Sequence, residues 1–129
     1  MKIKRAGEPD RVARLQRAEQ FAAAAELLEG DSDYAEVYVT LCVLSGIASS
    51  DVICLRNLGY YVQGDDHTQA VKALAQVNRK LSVQLDALLS MKTLAGYSTL
   101  AVSHEKRTRA GRAMDALLEI AQATRAMRN

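Results

Sequence analysis

Asp51 is a lone acid in the almost continuously apolar, small-residue-rich stretch Val37 to Leu55. A carboxylate beside Val52, Ile53 and Cys54 must face solvent or find a partner, and a partnered Asp51 serves as a structural pin or as part of a catalytic cleft. The other groups able to do chemistry are sparse. The imidazoles are His67 and His104, and the thiols are Cys42 and Cys54. Their spacings match no zinc-ligand pattern, so no metal centre is expected. Placed on one helix, the two cysteines stand about 18 Å apart, too far to bridge, and they read as buried thiols in a reducing cytoplasm. No glycine-rich phosphate loop and no Gly-x-Ser-x-Gly elbow occurs, so no cofactor is expected.

Charge is unevenly placed. The net charge is +2, but residues 1–20 carry six Lys or Arg against three acids and residues 104–129 carry six against three, leaving an acidic centre. If the first and last helices lie side by side, a basic face including Arg107, Arg109 and Arg112 can meet RNA, DNA or an acidic protein. The same arginines also suit an ordinary solvated helix surface. Tyr60 and Tyr61 form a candidate contact patch late in the second helix, with packing against the third helix as the alternative.

The elements that must position these groups are helical. A chain of 129 residues, 49% apolar, with one Pro and seven Gly, suits a single all-α domain. The first helix is expected from Pro9 to Gly30, with Leu15, Ala18, Ala22, Ala25 and Leu28 on one stripe. The second begins at a capping box, Asp33 to Glu36, and runs to about Val62 as the central helix. Asp66 and Gln69 cap a short third helix through about Ala75, with His67 in its first turn. The fourth, about Asn78 to Ala95, buries Leu81, Leu85, Leu88 and Leu89 and brings Lys92 to the same side. Ser103 caps the last, whose stripe is Ala110, Ala113, Met114, Leu117, Ile120 and Ala121. The expectation is an up-and-down bundle of four main helices plus one short one over residues 9–129, with residues 1–8 loose. Neither export nor membrane insertion is expected, because Ser45, Ser49, Ser50 and Asp51 interrupt the apolar run.

The order of an amphipathic first helix, a long second helix containing Gly46-Ile-Ala-Ser-Ser-Asp51, Gly64-Asp-Asp-His67 opening a short helix, and Lys92-Thr-Leu-Ala-Gly-Tyr97 resembles the HEPN (higher eukaryotes and prokaryotes nucleotide-binding) superfamily. The similarity covers about residues 12–127 and is closest to small actinobacterial-type HEPN-like proteins. Active HEPN ribonucleases carry an Arg and, four to six residues on, a His, paired across a dimer. The resemblance puts Lys92 and Tyr97 at those positions. Lysine lacks the bidentate fork of arginine, and a phenol of ordinary pKa about 10 is a poor base at neutral pH. The motif is degenerate.

The resemblance implies a non-catalytic bundle that forms a homodimer through its second and fourth helices. Its partner is expected to be RNA, a nucleotide, or a companion protein of nucleotidyltransferase type, in a toxin-antitoxin or defence system. The alternatives are a metal-independent ribonuclease using Lys92 and Tyr97 with Asp51, and a generic helical protein-interaction module. In the non-catalytic reading the Tyr97 ring packs on the second helix and Asp51 contacts Lys92 or Tyr97. His67 resembles the His that often opens the third HEPN helix.

Overall fold

A computed structural model of the chain describes residues 2–126. Residues 127–129, the expected end of the domain, lie outside the described residues, as does Met1. The elements run β1 Ile3–Arg5, α1 Glu8–Leu28, α2 Ala35–Leu58, β2 Tyr60–Val62, α3 His67–Val77, α4 Arg79–Gly96 and α5 His104–Ala123. Short 3-10 turns at Ser32–Tyr34 and Thr124–Ala126 precede α2 and follow α5. Among the described residues the protein is all-α but for two three-residue strands.

The apolar run is the interior helix. α2 packs against α1, α5, α4 and α3, which is why it is apolar on most faces: Val39, Cys42, Val43, Ala48, Val52 and Ile53 are all buried. Each large side chain taken from water in this way contributes about 1.5–3 kcal/mol. Small residues let its neighbours close in, and the buried Ser45 hydroxyl donates to the Ala18 carbonyl of α1 at 2.8 Å. Ser32–Leu58 is long and apolar enough to cross a membrane, yet most of its apolar window is buried within the bundle.

Local chemistry explains the boundaries. Pro9 sits in the first turn of α1. Asp66 caps α3 by accepting from Gln69 N–H, Asn78 caps α4 through Leu81 N–H, and Ser103 caps α5 through Lys106 N–H. The capping box expected at Asp33 does not form. The 3-10 turn delays the start of α2, Tyr34 becomes its N-cap without a side-chain cap, and Asp31 accepts from Asp33 N–H. Glu36 instead receives Val102 N–H at 3.0 Å, pinning the connection after α4 to the start of α2.

Three further expectations are corrected. α2 stops at Leu58, because Gly59 at φ 76° takes the left-handed cap conformation and donates its N–H to Leu55. Tyr60–Val62 then leaves as a strand, as its β-favouring side chains suit. It pairs antiparallel with Ile3–Arg5 in the register Ile3↔Val62, Lys4↔Tyr61 and Arg5↔Tyr60, so residues 3–5 are held rather than loose. On α5, Ile120 is exposed while Gly111 and the other members of its expected stripe are buried.

Candidate functional site

Asp51 has a partner, and it is Arg14. α1 brings the Arg14 guanidinium 2.8 Å from the Asp51 carboxylate across the α1–α2 interface. Burial pushes the Asp51 pKa up to about 7, against the pull of the Arg14 charge and hydrogen bond. A carboxyl with that affinity exchanges its proton near neutral pH.

On its other side Asp51 borders a small cavity of about 30 Å³, shared with Ser50, Gly64, His67, Leu85 and Leu89. That volume suits about one water molecule. His67 Nε2 is buried without a hydrogen-bond partner among the described residues and lies 4.0 Å from Asp65. Asp65, at the surface, accepts from Lys92 Nζ at 3.1 Å. The hydrogen bond and the charge of Lys92 together hold the Asp65 carboxyl below its usual range.

Lys92 and Tyr97 line one groove of about 220 Å³ with Thr40, Val43, Leu44 and Gly96. They share no hydrogen bond, and Tyr97 is the C-cap of α4 with 80% of its surface exposed. The expected packing of the Tyr97 ring into α2, and the expected contact of Asp51 with Lys92 or Tyr97, are therefore corrected. Asp51 and His67 come together at the small cavity, Lys92 and Tyr97 along the groove, and Asp65 stands between His67 and Lys92.

Arg14 and Asp65 were not among the expected site residues. Arg14 carried a signal, since it lies three residues after Arg11 and four before Ala18, beside a core-facing stripe, where an arginine needs an acid. Asp65 carried none, being one of two adjacent acids in a turn.

The remaining candidates scatter. Tyr60 lies under the Arg5 guanidinium, 5.9 Å from its ring centre, and Tyr61 packs against the core, so both are half-buried strand residues. Arg107 and Arg112 line a cleft of about 360 Å³ together with Glu26, Glu29 and Asp115. There partial burial, then Glu29 and Glu26, raise the Asp115 pKa. Arg109 and Arg112 line a second, shallower cleft with Gln84, His104 and Thr108. Arg125, farther along the chain, is paired with Glu19 at 2.8 Å. The basic face thus meets acidic residues of α1 at both ends. Among the described residues no three His, Cys, Asp or Glu side chains gather as a metal site.

Comparison with family models, curated proteins and solved structures returns no match.

Proposed function

We propose that this chain is a non-catalytic, HEPN-like helical module that acts by pairing, its α2–α4 groove being the face that meets a second copy of itself. The supporting observation is the exposed apolar surface near that groove, of which Tyr97 is a lining residue. Val37 on α2 is 48% exposed, Tyr97 at the end of α4 is 80% exposed and Leu100 in the following connection is 68% exposed. Val102 N–H on Glu36 holds that connection at the start of α2, beside Val37. A Cβ on Gly96 would stand 3.8 Å from Thr40 Oγ1, so the backbone of α4 lies close against α2 there. Large apolar side chains grouped at a groove mark an interaction face, and a copy-to-copy contact lets each Tyr97 find a dry site.

The absence of a catalytic arrangement in this reading rests on Lys92. Its amine donates to Asp65, and its neighbour Tyr97 stands mostly in solvent. The same reading keeps the protein in the cytoplasm, in a toxin-antitoxin or defence setting with a companion protein.

Size-exclusion chromatography with light scattering tests the pairing. A dimer that becomes a monomer in Val37→Lys/Tyr97→Asp, with unchanged helical signal, is expected. A wild-type monomer at high micromolar concentration overturns the proposal. Incubation with structured RNA beside Lys92→Ala and Tyr97→Phe tests the other half: cleavage abolished in both variants would replace this reading with a metal-independent ribonuclease.

A further inference from the structure

We infer that the cleft between the end of α1 and the first half of α5 binds a small organic zwitterion with positive charge in excess, the chemistry of a basic amino acid. Its volume of about 360 Å³ falls within the range of small-molecule sites, about 300–1,000 Å³. It shares no residue with the α2–α4 groove and is separate from the pairing face.

The floor of the cleft is buried and polar. Tyr38 and Met114 line it at 5% and 2% exposure. Gly111 makes room for the phenol, because a side chain there would begin inside the space of the Tyr38 hydroxyl. The only hydrogen-bond partner of that hydroxyl among the described residues is the Cys42 thiol, a weak one. Burial first, then Cys42, keeps the phenol protonated. Its proton points to sulfur, and its oxygen lone pairs are left for a donor entering the cleft. Thr108 offers a second hydroxyl. Thr40 and Thr124 turn theirs onto backbone carbonyls, whereas Thr108 makes no side-chain hydrogen bond among the described residues.

The walls carry charges of both signs that do not pair. Glu26, Glu29 and Asp115 form no ion pair among the described residues, and Arg112 forms neither an ion pair nor a side-chain hydrogen bond. Arg107 donates to His104 Nδ1 at 2.9 Å, which holds its guanidinium at the start of α5. There the helix dipole adds to the attraction for an anion. Asp115 lies eight residues on, about 12 Å along the axis, within the field of Glu29 and Glu26. A cation seated at that end relieves the repulsion among the three carboxylates. They do not gather as a metal site among the described residues, which leaves an organic cation. Three carboxylates against two guanidiniums give the lining one negative charge in excess. A ligand with two cationic groups and one carboxylate, as lysine and arginine are at neutral pH, complements it.

Titration calorimetry on the chain at fixed ionic strength, with L-lysine, L-arginine, cadaverine and L-glutamate as separate probes, tests the site. Saturable binding of lysine or arginine is expected. Cadaverine, which is lysine without its carboxylate, is expected to bind at least about tenfold more weakly, the loss of one charge-assisted contact, and glutamate not at all. Asp115→Asn is expected to weaken lysine at least about tenfold, Tyr38→Phe several-fold, and Arg112→Gln to bring lysine down to the level of cadaverine. Asp115 and Arg112 are exposed, so their substitutions leave the core intact even if Tyr38→Phe does not fold. No saturable binding of either basic amino acid below about 10 mM overturns the inference. So do equal affinities for lysine and cadaverine, tighter binding of glutamate, or binding that Asp115→Asn leaves unchanged.

Discussion

Leu88 Cδ1, on α4, occupies the space in which a side chain at Gly46 of α2 would begin. Leu117 Cδ1 of α5 closes the same space, 3.3 Å from such an atom, and both leucines are fully buried. Three helices meet where the central one has nothing to offer but backbone.

Gly46→Ala sets two effects against each other. Alanine favours the helix by about 0.5–1 kcal/mol, whereas overpacking a filled core costs about 1–3 kcal/mol. With both leucines buried the packing cost prevails, and urea unfolding is expected to show a net loss of about 1–2 kcal/mol. A variant as stable as wild type would refute this contact.

Gly59→Ala loses stability for a different reason. No atom stands within 4 Å of an added Cβ, but the residue lies at φ 76°. The cost is backbone strain alone, about 1 kcal/mol. Gly30→Ala, at φ 83° and equally open, is expected to behave alike. Thermal melts of both variants beside Gly46→Ala check that left-handed backbone, and not crowding, is what these two positions require.

Asp51 makes stability depend on pH. Its folded pKa is raised by burial to about 7, well above the ordinary carboxylate value, so the native state holds a proton that the unfolded chain has released. The proton favours the folded form, and its contribution is lost as pH rises from about 4 through about 7. Asp51→Asn keeps an acceptor for Arg14 without titrating. Chemical denaturation at pH 5 and pH 8 is expected to show the variant gaining on wild type as pH rises. A difference independent of pH contradicts the buried, proton-retaining state.

Burial pushes the thiols of Cys42 and Cys54 up to about 12. Thiolate is then scarce at pH 8, and the sulfurs are shielded as well. Native protein is expected to resist iodoacetamide for hours, with both cysteines labelled rapidly in urea. Rapid stoichiometric labelling without denaturant counts against the enclosed α2.

Features set by neighbours in sequence were legible, and those set by helix register were not. The caps at Asp66 and Ser103 follow from a side chain and an N–H three residues on, so each could be read directly. The interior place of α2 followed from its apolar faces. Glu36 was also read as a cap partner, but it found Val102, sixty-six positions away in the chain. Tyr60–Val62 follows the apolar run after Arg56, Asn57, Leu58 and Gly59, and Gly59 marks the change from helix to strand. At the candidate site, the need of Asp51 for a partner was legible, while its identity depended on how α1 lies against α2. Lys92 and Tyr97 were brought to one groove by being five residues apart on one helix end, yet Asp65 claimed the amine.

The contact of Arg11 with Thr124 joins the entry of the first long helix to the exit of the last. The bundle therefore has a clasp at one pole. The pairing of β1 with β2 lies ahead of Arg11 in the chain, so a pull from the N-terminal side meets that strand pair before the clasp.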